Sequence, residues 1–464
     1  MNSPVSVVIL AAGMGTRMRS KTAKVLHRAG GLTLVEHVVR LALTVAEPRN
    51  IVVVVGHQAE EVRKTLAPYG VNTAEQTEQR GTGHALRCAQ SAAPATGHLV
   101  VLYGDAPLLT AETLRSLVDE RPETATVLTA ILDEPTGYGR ILRDPEGHVL
   151  SIVEHKAATK AQRAIREINS GIYCFRAERL WAHIDSIGTN NPAGEFYLTD
   201  IIELLLAAGG KTHARILTDA NELLGINSRV ELAEVDRIFR ARKVTELMLS
   251  GVTIEKPETV SVDCDVTVGQ DTILEPGTRL LGATSIGHDC RIGTGSVLEN
   301  AQLADGVLVL PYTIIEDSTI GAGSRLGPFA RLRMHNVVGA KAHVGNFVEL
   351  KKTTLGDGAK ANHLAYLGDS IIGARSNVGA GTITCNYDGV HKHPTTIGEG
   401  VFVGSNSTLV APVTLEPGSY IAAGSVITDT VPTGALGLGR GRQVNKPGWV
   451  ESRISRKPAA EDRS

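Results

Sequence analysis

The sequence predicts two regions of different fold class, an α/β sheet domain followed by a parallel β-solenoid. The first half alternates short apolar runs with helical patterns, which indicates a mostly parallel sheet covered by helices. The second half repeats an apolar residue every six positions, which is typical of a solenoid with one flat side per hexapeptide. A charged, helix-forming stretch joins the two regions.

The composition excludes several classes of protein. A chain of 464 residues predicts two or three domains, and a net charge of −2 gives no reason to expect nucleic acid or an anionic membrane as partner. The five cysteines are scattered without a CxxC pair, which indicates free thiols in a reducing compartment. No apolar run reaches membrane-spanning length, and the N-terminal run VVILAAG lacks a preceding basic region. We therefore expect a soluble, cytoplasmic protein.

In the first half the apolar runs predict strands at 5–10, 51–55 and 99–102, with helices at 34–45 and 60–66. Ligands of such sheets bind beyond the carboxyl ends of the strands. A Gly-rich turn follows the first strand, where Gly13 and Gly15 let backbone N–H groups approach phosphate oxygens. Arg17 and Lys24 lie where they can reach a triphosphate. The turn is not a Walker A loop, since no Gly-Lys-Ser/Thr follows it.

A rod-like helix is expected next, since Ser228 can cap its start and Gly251 can end it. Its length is about 30 Å at about 1.5 Å per residue. We interpret it as a connector, with an ordinary packed domain helix as the alternative. Beyond it, the inward-facing positions of the solenoid are predicted to be Val262, Val268, Leu274, Leu280, Ile286, Ile292, Leu298, Ile320, Leu326, Leu332, Val338, Val344, Leu350, Ile372, Val378, Ile397, Val403, Leu409, Leu415, Ile421 and Ile427.

A polar insertion, TCNYDGVHKHP, interrupts this rhythm at residues 384–394. Insertions in solenoids become loops on one face, which is often the binding face. His363 and Tyr366 precede the insertion and fall outside the apolar register. The tail after Trp449 is polar, and we expect it to be disordered.

The motifs of the chain, in their order, resemble a known family. They are LAAGMGTRMRSKTAKVL, EQRGTGHA, LYGDAPLL, PTGYGRI, IVEHKAA, INSGIY, GEFYLTDII, GINSR and NHLAYLGD. They are similar to those of the bacterial bifunctional N-acetylglucosamine-1-phosphate uridylyltransferase/glucosamine-1-phosphate N-acetyltransferases. The resemblance implies a Rossmann-like nucleotidyltransferase domain at 1–228, a helical linker at 229–250, a left-handed parallel β-helix acetyltransferase domain at 251–448 and a polar tail at 449–464. It also implies a homotrimer with acetyl-transfer sites shared between chains.

The resemblance assigns a nucleotide and sugar site to the first domain. Asp105 and Asn227 correspond to ligands of Mg²⁺, Gln76 with Gly81 and Thr82 to the uracil contacts, and Gly139, Glu154 and Asn169 to contacts with N-acetylglucosamine. The full set for UTP or UDP-N-acetylglucosamine is Leu10, Ala11, Ala12, Gly13, Arg17, Lys24, Gln76, Gly81, Thr82, Tyr103, Gly104, Asp105, Gly139, Glu154, Asn169 and Asn227. The family's proline before the loop lysine is Ala23 here, which affects the stiffness of the loop.

The resemblance assigns acetyl transfer from acetyl-CoA to the solenoid. His363 corresponds to the general base, and we expect Glu349 to orient it. Arg333, Lys351, Tyr366 and Asn377 correspond to the glucosamine-1-phosphate site. Acetyl-CoA contacts are expected at Ala380, Asn386, Tyr387, Ser405, Ala423 and Arg440, with Lys392 on a CoA phosphate. Met334-His335 replaces the Pro-Gly that relatives often have after the arginine.

Two other functions remain open at this stage. The chain could be a sugar-1-phosphate nucleotidyltransferase whose solenoid is purely structural or regulatory, although His363 and Asn386-Tyr387 argue against this. It could also be a metal-dependent hydratase of the γ-carbonic-anhydrase type, with His335, His343 and His363 as ligands across an interface. Their surroundings do not resemble that family.

Overall fold

The structure is a computed structural model that describes residues 4–454. The chain forms two compact units, Met1–Lys243 and Val244–Ser464. Each unit is described by itself below.

The first unit is built on a mixed sheet with helices on both sides. Its strands are β1 (Val5–Leu10), β2 (Arg28–Ala29), β3 (Leu32–Thr33), β4 (Ile51–Val55), β5 (Asn72–Glu75), β6 (His98–Tyr103), β7 (Ala125–Ile131), β8 (Arg140–Arg143), β9 (Val149–Val153), β10 (Glu167–Arg176) and β11 (Thr212–Ile216). Its helices are α1 (Leu34–Ala42), α2 (Ala59–Leu66), α3 (Thr82–Cys88), α4 (Ala111–Asp119), α5 (Lys160–Arg163), α6 (Ala177–His183) and α7 (Asp200–Ala207). Short 3₁₀ turns lie at Thr16–Met18, Lys24–Leu26, Pro48–Asn50, Ala67–Tyr69, Ile184–Ser186 and Ala220–Leu223.

The strand order of the sheet is β11-β7-β10-β6-β1-β4-β5, with β8 and β9 attached beside β10. Strand β1 is parallel to β4 and β6, whereas β10 is antiparallel to β6 and β7. Side chains of β1 alternate between two apolar cores, with Val7 and Ile9 in one and Val8 and Leu10 in the other. Burial on both faces explains why these strands appear as continuous apolar runs. The three strands expected from the sequence are therefore confirmed.

Helix α8, Arg229–Leu249, lies where the sequence predicts the connecting helix. Its first turn is capped, since the Ser228 hydroxyl accepts the Glu231 N–H at 3.3 Å and the Glu231 carboxylate accepts the Ser228 N–H at 2.7 Å. The division of the chain into units falls within this helix, between Lys243 and Val244.

The second unit is a solenoid with three flat sides, each a fully parallel sheet. The first side holds Thr253–Ile254, Ile273–Leu274, Arg291–Ile292, Leu308–Val309, Arg325–Leu326, His343–Asn346, Lys360–His363, Asn377–Val378, Phe402–Val403, Tyr420–Ile421 and Leu436–Gly437. The second holds Ser261–Val262, Arg279–Leu281, Val297–Glu299, Ile314–Glu316, Arg331–Arg333, Glu349–Lys351, Tyr366–Gly368, Ile383–Cys385, Thr408–Val410 and Val426–Ile427. The third holds Thr267–Val268, Ser285–Ile286, Gln302–Leu303, Thr319–Ile320, Val337–Val338, Thr354–Leu355, Ser370–Ile372, Thr395–Ile397 and Val413–Leu415. A 3₁₀ turn lies at Pro257–Thr259.

The predicted inward positions of the solenoid are buried in one continuous apolar core, except Val268, which is half-buried against it. The core also contains residues that the six-residue count missed, namely Leu303, Val309, Ile315, Leu355, Ala361 and Leu367. The coils are not all of one length, because Thr267 pairs with Ser285, eighteen residues on, whereas Ser285 pairs with Gln302, seventeen on. A corner that is one residue shorter shifts the six-residue spacing by one position, so the inward residues that follow no longer fit the pattern.

Only part of the C-terminal tail is described. Helix α9, Trp449–Ile454, is exposed along its length, so the expectation of disorder from Trp449 onward does not hold for this turn. The rest of the predicted tail, 455–464, lies outside the described residues. Within residues 4–454, no helix combines the length and the apolar character that a membrane span requires.

Candidate active sites

A cleft of about 280 Å³ opens at the carboxyl ends of β1 and β6 in the first unit. The close packing of these ends requires glycine at two positions. At Gly15, whose φ is +63°, a Cβ would lie 2.7 Å from the Cβ of Lys24, and at Gly104 a Cβ would lie 3.0 Å from that of Ala11. The sequence-predicted residues that line the cleft are Leu10, Ala11, Ala12, Gly13, Lys24, Gln76, Gly81, Thr82, Tyr103 and Asp105. Gln79 and Glu195 also line it, and neither was predicted.

The two predicted metal ligands lie together with two cations at this cleft. Lys24 Nζ donates to Asp105 Oδ2 and, at 3.3 Å, to Asn227 Oδ1. Arg17 Nη2 also donates to Asn227 Oδ1, at 2.8 Å. Asn227 is held from behind, since its N–H donates to the Glu231 carboxylate at 2.7 Å. A carboxylate and an amide oxygen that share a neighbour in this way are the donor set that Mg²⁺ prefers, with positions left for phosphate and water.

A buried amide lies at the base of the same cleft. Gln76 Nε2 donates to the carbonyl of Gly81 at 3.1 Å and lies 3.0 Å from Nδ1 of His84. Gly81 precedes helix α3 and has a φ of +107°, and a Cβ there would lie 2.6 Å from the carbonyl oxygen of Phe196. Glycine is therefore required at Gly81 by both conformation and space. His84 was not predicted as part of this site.

The residues predicted to contact the sugar form a second group beside Tyr103. The Asn169 N–H donates to the Gly139 carbonyl at 2.9 Å, and the Asn169 amide donates to the Tyr173 hydroxyl at 2.9 Å. Burial raises the pKa of the Glu154 carboxyl above its usual value. Burial also raises the pKa of Tyr103, and the nearby carboxylates of Glu154 and Asp105 raise it further. Tyr103 therefore lies between the sugar group and the metal-ligand group.

A buried arginine, Arg140, contacts the residues next to Gly139 and Glu154 in this sugar group. Arg140 is 1% exposed, donates from Nη1 to the Tyr138 carbonyl, and lies 3.5 Å from His155 Nδ1. Its Nε has no hydrogen-bond partner, and among the described residues it forms no ion pair with a carboxylate. Burial lowers the pKa of Arg140. This guanidinium is therefore held by the Tyr138 carbonyl, next to Gly139, and by the ring of His155, next to Glu154.

In the second unit, His363 is exposed and its ring is oriented by an amide. His363 Nδ1 lies 2.7 Å from Asn346 Oδ1. An amide oxygen only accepts, so Nδ1 carries the proton and Nε2 keeps its lone pair. Glu349, expected to orient the histidine, instead accepts from Arg333 Nε at 2.6 Å. His363 lines a cavity of about 320 Å³ with His343, Asn346 and neighbouring residues.

The predicted sugar-phosphate residues form a cationic cluster on the second side of the solenoid. Arg333 and Lys351 are neighbours in the parallel register, and Lys351 Nζ donates to Asp369 at 3.2 Å. Lys392, expected at a CoA phosphate, lies beside Lys351, and this contact lowers the pKa of Lys392. The amide of Asn386 also donates to Asp369, at 2.5 Å. Arg333, Lys351 and Lys392 therefore form a cluster of three cations beside the carboxylates of Glu349 and Asp369, an arrangement that a bound phosphate would stabilise.

Three of the predicted acetyl-CoA residues stack in a column that begins at His363. Lys360, Asn377, Phe402 and Tyr420 pair in register from coil to coil. Three residues beyond each of them lie His363, Ala380, Ser405 and Ala423, so these occupy the same corner of successive coils. Glycine is required beside the column, because a Cβ at Gly404 would lie 2.5 Å from the Ala423 nitrogen. The column therefore presents only small side chains after the histidine.

The insertion after Thr384 is organised by an aspartate. Asp388 Oδ1 accepts from the N–H groups of Val390 and His391, at 2.7 and 2.6 Å, and Oδ2 accepts from the His393 ring at 2.7 Å. These bonds lower the pKa of Asp388 to about 2. Tyr387, predicted at acetyl-CoA, is exposed beside it and donates to the Gly389 carbonyl.

Within residues 4–454, the cavity around His363 does not include the other predicted acetyl-transfer residues. The described cavity around His363 is lined by none of Arg333, Lys351, Tyr366, Asn377 or Asn386. Arg440 is exposed, and within residues 4–454 it has no hydrogen bond to the other predicted acetyl-CoA residues. Within the described chain the cationic cluster and the column are each formed, and the cavity around His363 is lined by neither Arg333 nor Lys351.

Comparison with known proteins identifies the family of both units. A model of a MobA-like NTP transferase domain matches residues 7–219, a GMPPB C-terminal domain matches 257–346, and a bacterial transferase hexapeptide (six repeats) matches 394–429. The bifunctional protein GlmU of Solibacter usitatus (strain Ellin6076) is 56% identical over 457 residues, which cover 98% of this chain and 98% of that protein. The chain belongs to the GlmU family.

Two further GlmU proteins are similar over nearly the whole chain. That of Koribacter versatilis (strain Ellin345) is 48% identical and covers 97% of both chains, and that of Anaeromyxobacter sp. (strain Fw109-5) is 51% identical over 97% of this chain and 93% of its own. As a GlmU protein, the chain is a bifunctional transferase of UDP-N-acetylglucosamine synthesis. It transfers acetyl from acetyl-CoA to glucosamine-1-phosphate, and uridylyl from UTP to N-acetylglucosamine-1-phosphate with Mg²⁺. Its solenoid is the left-handed β-helix of hexapeptide transferases, which indicates a multimer.

Proposed function

We propose that the cleft between β1 and β6 performs uridylyl transfer and that the His363 column performs acetyl transfer. The proposal assigns the nucleotidyltransferase domain to residues 1–228, the linker to 229–250 and the acetyltransferase domain to 251–448. The observation that carries it is the clustering of Lys24, Asp105, Asn227 and Arg17 at the carboxyl ends of two parallel strands. These groups match what phosphoryl transfer needs, which is positioning and neutralisation of charge.

In the uridylyl transfer, a phosphate oxygen of the sugar attacks the α-phosphorus of UTP, and pyrophosphate leaves with the electron pair. Asp105 and Asn227 would hold the Mg²⁺, which neutralises charge on the phosphates when it is bound. Lys24 contacts the side-chain oxygens of both ligands and Arg17 contacts that of Asn227, so both positive charges lie beside the reacting phosphates. Glu154, whose pKa is raised by burial, presents its carboxyl oxygens to sugar hydroxyls, and the Asn169 amide is oriented by donating to the Tyr173 hydroxyl and accepting from the Gly171 N–H.

In the acetyl transfer, the nitrogen of the substrate amine attacks the thioester carbon and His363 Nε2 takes the amine proton. The C–S bond then breaks, and the imidazolium returns this proton to the sulfur, so that CoA leaves as the thiol. Asn346 fixes the tautomer that makes Nε2 an acceptor. Arg333, Lys351 and Lys392 hold the sugar phosphate, so we reassign Lys392 from a CoA phosphate to this group. The thioester arm lies along Ala380, Ser405 and Ala423, the last of which is about 14 Å from His363 at about 4.8 Å per coil.

Two substitutions separate the two activities. His363→Ala should lower acetyl transfer by about 100-fold or more while uridylyl transfer is kept, because general base catalysis contributes about 10²–10⁴. Asp105→Ala should abolish uridylyl transfer and leave acetyl transfer intact. The two activities are assayed separately: free thiol is followed from glucosamine-1-phosphate and acetyl-CoA, and pyrophosphate from N-acetylglucosamine-1-phosphate, UTP and Mg²⁺. Loss of both activities in one well-folded variant would show that the assignment of sites to units is wrong.

We also propose that the multimer is a homotrimer in which neighbouring chains complete each acetyl-transfer site. An exposed aromatic stack supports this proposal, since Tyr312, Phe329 and Phe347 stack at 5.4 Å on successive coils at one corner. Leu364 continues the stack and is 61% exposed, directly beside His363. An apolar ridge of this kind on a soluble enzyme is typical of an interface, and cyclic closure is the common symmetry.

Phe347→Asp tests the trimer, because a carboxylate in a buried interface is costly. Light scattering should then report dissociation, with loss of acetyl transfer and retention of uridylyl transfer by the dissociated chains. Glu316→Asp on the same side of the solenoid is the control. A trimeric, fully active Phe347→Asp would disprove the interface. We place the enzyme in the cytoplasm, where UTP and acetyl-CoA are available and where the cysteines stay free, as they are in the described chain.

A further inference from the structure

The buried amide of Gln76 has one orientation in this structure. Gln76 is 3% exposed, and its Nε2 donates to the Gly81 carbonyl at 3.1 Å. A carbonyl only accepts, so the nitrogen end of the amide must face Gly81. Among the described residues no group donates a hydrogen bond to Gln76 Oε1. This oxygen is also not among the fully buried side-chain atoms that lack a hydrogen-bond partner, so it is accessible. The oxygen end therefore faces the cleft that Gln76 lines.

This orientation distinguishes the two common pyrimidines. Uracil carries a hydrogen at N3 and so donates there, whereas cytosine has a lone pair at N3 and accepts. An amide oxygen that faces N3 accepts from uracil and repels cytosine. A rotated amide would present NH₂ instead and would suit cytosine. Selectivity therefore depends on whatever prevents the Gln76 amide from rotating.

His84 provides the second anchor of this amide. Its Nδ1 lies 3.0 Å from Gln76 Nε2 and can accept the second amide hydrogen. In the tautomer in which Nδ1 accepts, this nitrogen cannot also donate to the Glu78 carbonyl 3.2 Å away, and the proton is on Nε2, which lies 3.9 Å from Cys88 Sγ. Phe196 lies on its other side, with ring centroids 6.2 Å apart. The histidine thus occupies a fixed position from which it can hold the amide.

We propose that His84 is a positioning residue that holds the Gln76 amide oxygen towards N3 of the base, and so sets the preference for uridine over cytidine nucleotides. The proposal rests on the assignment of this cleft as the UTP site. The family resemblance gave Gln76, Gly81 and Thr82 a role at the base and gave His84 none. In the proposed role His84 does not touch the nucleotide and acts only through Gln76.

The test compares kcat/KM for UTP and for CTP, measured by pyrophosphate release with N-acetylglucosamine-1-phosphate and Mg²⁺. His84→Leu removes the acceptor, so the UTP/CTP ratio should fall by about five- to tenfold, the effect of one net hydrogen bond. His84→Asn can place Oδ1 near the position of Nδ1 and should restore most of the ratio. Arg87→Ala, an exposed change on the same helix, should leave the ratio unchanged.

Two outcomes overturn the role of His84. One is a wild-type ratio in His84→Leu, and the other is an equal loss with both nucleotides, which is what a general structural defect would cause. Gln76→Leu separates this failure from that of the site assignment. If the ratio is unchanged in Gln76→Leu as well, Gln76 does not read the base and the assignment of the uracil contacts is wrong. If it collapses there and not in His84→Leu, only the positioning role is lost. Circular dichroism and the thermal midpoint of the same samples report whether each variant is folded.

Discussion

The bond between His363 Nδ1 and Asn346 Oδ1 gives the sharpest prediction for acetyl transfer. Asn346→Leu removes the acceptor at 2.7 Å and leaves the imidazole free to carry its proton on either nitrogen. The tautomer protonated on Nε2 cannot act as the base. One net hydrogen bond is worth about 0.5–1.5 kcal/mol, so kcat for acetyl transfer should fall by about 2- to 12-fold.

Asn346→Asp tests the same contact by a different route. The carboxylate still accepts from Nδ1–H, so the orientation is kept, but it also stabilises the imidazolium. Two unit charges about 4 Å apart in a water-exposed setting interact by about 1 kcal/mol. This corresponds to about 0.7 pH unit, by which the acid limb of the kcat/KM profile should move to higher pH. Activity at high pH should then be close to that of the unchanged enzyme.

The assay is thiol release from acetyl-CoA with glucosamine-1-phosphate, followed from pH 5 to 9. Uridylyl transfer by the same sample is the internal control, since its residues lie in the other unit. Gln302→Glu adds one negative charge on a different side of the solenoid and should leave the profile in place. The reasoning fails if Asn346→Leu keeps full activity, or if Asn346→Asp has the profile of the unchanged enzyme.

Three further predictions concern other groups. Arg140→Met should raise KM for N-acetylglucosamine-1-phosphate about tenfold or more with little change in KM for UTP, because the Tyr138 carbonyl in the sugar site loses its hydrogen-bond donor. Arg140→Lys should recover part of the affinity for the sugar phosphate. Equal changes in both KM values would contradict the prediction. Gly368→Ala should abolish acetyl transfer alone, because a Cβ would lie 2.5 Å from the Tyr366 hydroxyl; calorimetry and both assays check this. Glu154→Gln should raise Tm at pH 7, because burial raises the pKa of Glu154 and the folded state disfavours the ionised carboxylate. This gain in Tm should vanish below about pH 4, where the carboxyl is protonated in both the folded and the unfolded state. An equal Tm at pH 7 would refute the prediction.

The architecture was predictable because the spacing of apolar residues in the sequence follows the burial of those residues in the structure. Strand β1 is an uninterrupted apolar run since both of its faces are covered, and all but one of the predicted hexad positions lie in the solenoid core. The prediction lost register after Leu298 and Leu350, where the next core residue comes five positions later instead of six. A short corner leaves no mark in composition, so counting alone could not detect it.

The same loss of register hid Asn346. Counted from the inward Val344, Asn346 stands two positions on, as His363 stands two positions after the inward Ala361, and the two pair across adjacent coils. With Ala361 missing from the predicted series, nothing aligned the two residues. His84 escaped for another reason, since its role depends on which amide hydrogen of Gln76 meets which acceptor. Such pairings arise from side-chain geometry that sequence spacing does not contain.

In the proposed acetyl-transfer site, the column that begins at His363 would act as a molecular ruler. Each coil adds about 4.8 Å along the axis, so the reach from the histidine to any later corner comes only in whole multiples of that step. Deleting the coil that ends at Tyr420 would shorten the distance from His363 to the following corner by one coil step, without disturbing His363. Acyl carriers with longer or shorter arms could be accommodated by changing the number of coils, while the chemistry at the first notch stayed the same.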